Sequence, residues 1–140
     1  MSVGISLIII FILCILSIYD IFYKEIPVIG IIVGGSIGIA YNFYLHTDYV
    51  YIMWAITPGM VFLAASLASK KIGAGDGMCI IVSELSIPVY LVVDELMIMA
   101  VCSLLVAFLY KIKKQSDVSI PFVPVITLSH ILTMLMGELE

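Results

Sequence analysis

From Val3 to Tyr23 the chain carries a single charged residue, Asp20, and similarly apolar runs follow, separated by short groups of lysines, acids, glycines and prolines. A helix crosses the hydrocarbon core with about 20 apolar residues, and with fewer where its ends reach the interface or the bilayer thins. Cutting at the charges and turn formers gives spans near Val3 to Tyr23, Ile26 to Leu45, Tyr49 to Ser69, Gly77 to Val93, Leu96 to Tyr110 and Ile120 to Met136. The expected fold is therefore all-α, a polytopic integral membrane protein of six transmembrane helices in one domain, 1–140. Glu84, Pro88, Asp94 and Glu95 interrupt the fourth and fifth spans, so one of that pair is expected to be short. With 64% hydrophobic and 11% charged residues in 140, and a mean hydropathy of +1.27, there is no room for a sizeable water-soluble core. Any function sits in the bilayer or at its faces. No basic residue precedes the first run and no small-residue cleavage pattern follows it, so it reads as a retained span and not a removed leader.

All the basic residues are lysines: Lys24, Lys70, Lys71, Lys111, Lys113 and Lys114. They fall in the loops between spans one and two, three and four, and five and six, which the positive-inside rule assigns to the cytoplasm, with both termini outside. The loop at His46 to Tyr49, the turn near Glu84 to Glu95 and the tail Glu138 to Glu140 hold no lysine and are expected to be external. Tyr44, Tyr49, Tyr51 and Trp54 then form an aromatic belt at the outer face. Gly30, Gly34, Gly35 and Gly38 stand at the spacing that lets a neighbouring helix approach span two closely. Cys14, Cys79 and Cys102 lack CxxC or Cys/His spacing and read as small hydrophobes. Nothing in the pattern calls for a metal, a cofactor or a nucleic-acid partner.

This topology puts Asp20, at the inner end of span one, and Asp76, at the entrance to span four, on the cytoplasmic side at similar depth. An ionisable group in or beside hydrocarbon costs about 2.5–3.5 kcal/mol at a helix centre on insertion scales, and one that is kept tends to have a partner and a use. Each acid has a plain structural explanation of its own. Asp20 could pair with Lys24 at i+4, and Asp76 could be the N-cap of span four. The stretch Gly73-Ala74-Gly75 adds weight to a joint role, because it allows left-handed or tight backbone and close approach to other groups. Two carboxyl groups brought together in low dielectric share a proton. The ionised one can activate a water while the protonated one hydrogen-bonds a peptide carbonyl. No Ser/His/Asp arrangement competes: His46 is expected outside, and His130 reads as a satisfied core residue. Glu84, eight residues past Asp76 and about 80° round an ideal helix, reads as interfacial and not as a third catalytic acid.

Three segments together resemble a known family. The sequence "DIFYKEIP" (Asp20 to Pro27) resembles the D-x-x-x-[RK]-x-I-P segment of the prepilin peptidases, with Lys24 and Pro27 in the motif. The sequence "GAGD" (Gly73 to Asp76) is similar to their G-x-G-D element, and "IPFVP" looks like their Pro-Phe-x-Pro, carried here by Pro121, Phe122 and Pro124. The resemblance implies a membrane aspartyl endopeptidase with Asp20 and Asp76 as catalytic pair. Such an enzyme removes the short basic leader of type IV pilin-like precursors, proteins with a hydrophobic helix after the leader, at the cytoplasmic face of the cell membrane. Val28 stands where relatives often have Asn, and Met78 where many have Lys. The first loop, Lys24 and Glu25, is too short for the zinc-binding region of larger relatives, so no methyltransferase activity is expected, and the compact tight-adherence type is the nearest subfamily. Two other functions fit the same acids. One is a presenilin-like protease cutting within a membrane helix; the other is a non-enzymatic scaffold or an ion or proton transporter.

Overall fold

The computed structural model describes residues 3–45, 47–68, 73–112 and 120–137. Expectations for His46, Ser69, Lys70, Lys71, Lys113, Lys114 and the Glu138 to Glu140 tail lie outside them. The chain folds into α1 (Val3–Tyr23), α2 (Val28–Tyr44), α3 (Tyr49–Ala68), α4 (Ala74–Glu84), a 3₁₀ turn (Val89–Leu91), α5 (Val92–Ile112) and α6 (Val123–Gly137), with no strand among the described residues. Three segments are long and apolar enough to cross a membrane: Gly4–Tyr23, Tyr49–Ala68 and Val89–Lys111. The helices at Val28–Tyr44 and Val123–Gly137 are apolar but shorter.

The short member of the fourth and fifth pair is α4, with 11 residues. The apolar run continues beyond it, but the helix stops because its C-terminal carbonyls find other donors. The Ser86 hydroxyl donates to the Ser83 carbonyl (2.6 Å), and the Asn42 amide of α2 donates to the Leu85 carbonyl (2.7 Å). Pro88 then precludes a further helical hydrogen bond. α5 accordingly begins at Val92, with Asp94 and Glu95 in its first turn. These boundaries correct the expected Gly77 to Val93 and Leu96 to Tyr110.

α4 is also the centre of the packing, touching α3 most extensively and α1, α2 and α6 as well. Glycine is what lets it in. A methyl group on Gly77 would lie 2.8 Å from the Leu63 backbone nitrogen of α3, and one on Gly59 would meet Gly77 O at 2.9 Å, so the two backbones cross almost in contact. On the other side, Gly34 and Gly38 of α2 face Val82 and Leu85, with room for no more than hydrogen. The small-residue stripe of α2 thus receives the α4 segment, as its spacing suggests.

α1 buries one stripe, Ile9, Leu13, Leu16 and Asp20, at the spacing of a single helical face. Its opposite face leaves Phe11, Ile18 and Phe22 exposed, as suits lipid. α6 answers with Val123, Ile126, His130 and Thr133, all buried. Ser17 and Thr127 hydrogen-bond across the α1–α6 contact (2.6 Å). Leu16, Cys79, Ile80, Met99, Val123 and Ile126 form the apolar core where four helices meet.

Candidate functional site

At one end of the bundle, a cavity of about 870 Å³ opens between the end of α1, the start of α2, α3, the start of α4 and the approach to α6. Asp20, Lys24, Gly73, Gly75, Asp76 and Phe122 line it, together with Ile26, Val28 and Met78. Pro27, Pro121 and Pro124 do not line it. They shape the backbone around it, Pro27 as the N-cap residue of α2 and the other two on either side of Phe122 and Val123.

Asp20 closes the buried stripe of α1 and is only 8% exposed, so its carboxylate points into the protein and not toward lipid. Its Oδ2 accepts a hydrogen bond from the Val123 backbone N–H (3.1 Å). The proline pattern explains why that donor is available. The Phe122 carbonyl accepts from the N–H groups of Val125 (2.9 Å) and Ile126 (3.2 Å), which makes Val123 the first residue of α6 and leaves its own N–H without an intrahelical partner. Pro124 has no N–H to be orphaned. The positive end of the α6 dipole therefore meets Asp20 through one specific donor.

Asp76 is not the N-cap of α4. Gly73 occupies that position, and the Asp76 N–H bonds the Gly73 carbonyl (3.1 Å). Asp76 is the third residue of the helix, and its carboxyl group also interacts with the Gly73 backbone, as in the side-chain half of a capping box. Asp76 lies in the first turn, ahead of the apolar part of α4 and outside the three long apolar helices. Burial raises its pKa from 3.8 to about 6; the nearby charge of Asp20 adds to the rise and the Gly73 hydrogen bond opposes it. The two acids are thus neighbours on one cavity wall, close enough for the charge of one to act on the other.

The glycines at this site serve close approach and not left-handed backbone. No described glycine has a positive φ, whereas Lys24, where α1 ends, does (φ 56°), so of the left-handed or tight backbone that Gly73 to Gly75 allow, the left-handed form is not used. A methyl on Gly75 would lie 2.6 Å from Ile26 Cδ1. The Ile26-Pro27 pair and the Gly73 to Asp76 loop are consequently two halves of one contact.

A second ionisable cluster went unrecognised in the sequence. Ser83, Glu84, Glu95 and His130 are each 0% exposed, which overturns the interfacial reading of Glu84. The Ser83 hydroxyl donates to Glu95 Oε1. His130 Nδ1 lies 2.9 Å from Ser83 Oγ and 3.3 Å from Glu95 Oε1. Glu95 Oε2 and His130 Nε2 have no hydrogen-bond partner among the described residues and the Glu84 carboxyl interacts with the Gly59 backbone, so His130 is buried but only half satisfied. This trio has the composition of a serine hydrolase but not its geometry, because the serine proton goes to the carboxylate and no described cavity touches it. The signal that could have revealed it is helical phase. Glu95 shares a face with Met99, Cys102 and Val106, and His130 shares one with Ile126 and Thr133.

Compared with known proteins, the chain matches no family model, no curated protein and no solved structure.

Proposed function

We propose that this protein is a membrane aspartyl endopeptidase of the prepilin peptidase type, with Asp20 and Asp76 as its catalytic pair. One observation carries the proposal: two acids from separate helices border a single cavity of about 870 Å³, and a helix N-terminus donates a backbone hydrogen bond to one of them. In this mechanism Asp20 stays ionised, held by the Val123 N–H, and takes a proton from a water in the cavity. Asp76 holds its proton and hydrogen-bonds the scissile carbonyl, stabilising the tetrahedral oxyanion as water attacks. Asp20 then passes the proton to the leaving amine. The peptide bond has gained one water, and no covalent intermediate forms.

The chain spans the cytoplasmic membrane six times, with the cavity at the lysine-bearing side. Lys24 at the cavity and Lys111 at the end of α5 belong to that side. A precursor with a basic leader and an apolar helix places its junction at the depth of Asp20 and Asp76. The shorter apolar helices α2 and α6 and the broken α4 are tolerated within the bilayer because neighbouring helices and side chains satisfy the freed backbone groups. Val28 and Met78, the departures from the family pattern, both line the cavity and make its wall more apolar than Asn and Lys would.

A proton or ion transporter has one observation in its favour, the buried Ser83, Glu84, Glu95 and His130 group, of the kind that marks intramembrane relays. Against it, Cys79, Ile80 and Ile126 fill the core above the cavity, and none of the four lines a described cavity.

The test is incubation of the detergent-purified protein with a precursor-like peptide bearing a basic leader, followed by mapping of the products. Cleavage between leader and apolar segment by wild type, lost in Asp20→Asn and in Asp76→Asn, supports the peptidase. Wild-type rates in either variant end it.

A further inference from the structure

About one turn deeper in the bundle than Asp20 and Val123, two hydroxyls meet. Ser17 precedes Asp20 by three residues on α1, and Thr127 follows Val123 by four on α6. Both are buried, and neither lines a described cavity. Ser17 Oγ lies 2.8 Å from the Leu13 carbonyl, Thr127 Oγ1 lies 2.9 Å from the Val123 carbonyl and 3.2 Å from that of Leu13, and the two hydroxyl oxygens are 2.6 Å apart. Each hydroxyl has one proton to give. If each gave it to a carbonyl of its own helix, the 2.6 Å contact would set lone pairs against each other with no hydrogen between them. A proton therefore crosses the interface, from Ser17 to Thr127 or from Thr127 to Ser17.

Resting on the peptidase reading above, we infer that Ser17 and Thr127 are positioning residues: their clasp fixes the register of α6 on α1 and so sets the Val123 N–H on the Asp20 carboxylate. The two ties are rungs of one ladder. Ser17 and Asp20 share a face of α1, and Val123 and Thr127 share a face of α6. The rungs are thus about 4.5–6 Å apart along the helices. The clasp lies deep, and the bond it serves lies at the cavity.

Three observations support a positional role over a merely cohesive one. The rest of this contact is apolar, with Leu16, Val123 and Ile126 in the core, and apolar attraction has no direction with which to hold a register. A slide of α6 by one residue's rise, about 1.5 Å, is enough to weaken a bond of 3.1 Å. The first turn of α6 is also poor in donors of its own, because Pro124 has no N–H. Thr127 is consequently the first side chain after Val123 that ties α6 to α1 by a hydrogen bond among the described residues. Finally, hydrogen bonds between membrane helices add only modestly to stability, so cohesion accounts poorly for a buried clasp beside the acid.

The test is steady-state cleavage of the precursor-like peptide, with kcat and KM read separately. Thr127→Val keeps the shape of the side chain and leaves Ser17 its bond to the Leu13 carbonyl, so no buried donor is stranded. It is expected to lower kcat by about tenfold or more, the effect of a small misplacement at a reacting group, with KM within about twofold of wild type. Thr127→Ser restores the hydroxyl and should recover most of that loss. Ser17→Ala should lower kcat as Thr127→Val does, and carries the test if Thr127→Val fails to fold. In an Asp20→Asn background Thr127→Val should cost nothing further, because it acts through Asp20. A second readout needs no activity. In isotope-labelled protein in detergent, the Val123 amide proton of Thr127→Val should shift toward its position in Asp20→Ala, where the acceptor is gone. An unmoved Val123 amide overturns the proposal, as does an unchanged kcat in Thr127→Val and Ser17→Ala, a loss confined to KM, no recovery in Thr127→Ser, or a loss that multiplies with Asp20→Asn. A wild-type protein that does not cleave ends the peptidase reading, and the amide shift then decides the clasp by itself.

Discussion

α4 carries ionisable residues at both ends, and their surroundings are opposite. In its first turn Asp76 faces Asp20 across the wall of a wide cavity. In its last turn Ser83 and Glu84 meet Glu95 and His130 with no exposure at all. From Asp76 to Ser83 is about 10 Å along the helix, with Cys79 and Ile80 packed between. The first group can reach a water and a substrate; the second can reach only its neighbours. Burial and charge alone therefore do not mark an active site in a chain like this. Access marks it, together with a donor such as the Val123 N–H placed to orient the carboxylate.

The largest expected difference between the two ends is catalytic. Asp20→Asn and Asp76→Asn should each lower cleavage by about 10²- to 10⁴-fold, the usual worth of a positioned acid or base, and Asp76→Asn should do so with no drop in Tm at pH 7. For Asp76 the sign follows from its raised pKa. The folded state binds this proton more tightly than the unfolded chain does, so stability falls as pH rises from about 4 to about 6. Replacing the carboxyl removes that loss.

At the closed end the same logic acts on folding. Glu95→Met strips Ser83 and His130 of their acceptor and should cost about 1–3 kcal/mol. Glu84→Met removes a fully buried carboxyl whose polar contact is the Gly59 backbone and should gain about 1 kcal/mol. Melting curves in detergent read both, and a destabilised Glu84→Met would mean that its carboxyl is held by a partner Met cannot replace. The pH profile separates the ends again. kcat/KM should fall about tenfold per unit above pH 6, as Asp76 gives up the proton it must hold, and Glu95→Met should leave that limb where it is. The smallest effect belongs to Lys24. Its left-handed φ of 56° costs a residue with a Cβ about 1 kcal/mol or more, so Lys24→Gly should raise stability by about 1 kcal/mol.

Much of this was legible in the sequence, though unevenly. α1 and the start of α3 follow directly from where the apolar runs meet charge and turn residues. Asp20 was legible as an inward residue because it continues the stripe Ile9, Leu13 and Leu16. The end of α4 was not legible, because it depends on an amide from α2 reaching the Leu85 carbonyl, a tertiary contact with no local mark. Glu84 was misread as interfacial because charge near an apparent turn suggests water, whereas the bundle buries it completely. The glycines of the Gly73 to Asp76 loop left open left-handed or tight backbone and close approach, and the structure uses them for close approach. Only the partner, Ile26, shows which property was needed.

A peptidase dyad fails as a unit, since neither acid activates water usefully without the other. Single-turnover cleavage of one precursor-like peptide by wild type, Asp20→Asn, Asp76→Asn and the double variant measures this directly. The expected result is that each single variant falls to the same residual rate as the double. Losses that multiply in the double variant, or a single variant that cleaves at the wild-type rate, would show that Asp20 and Asp76 do not work together.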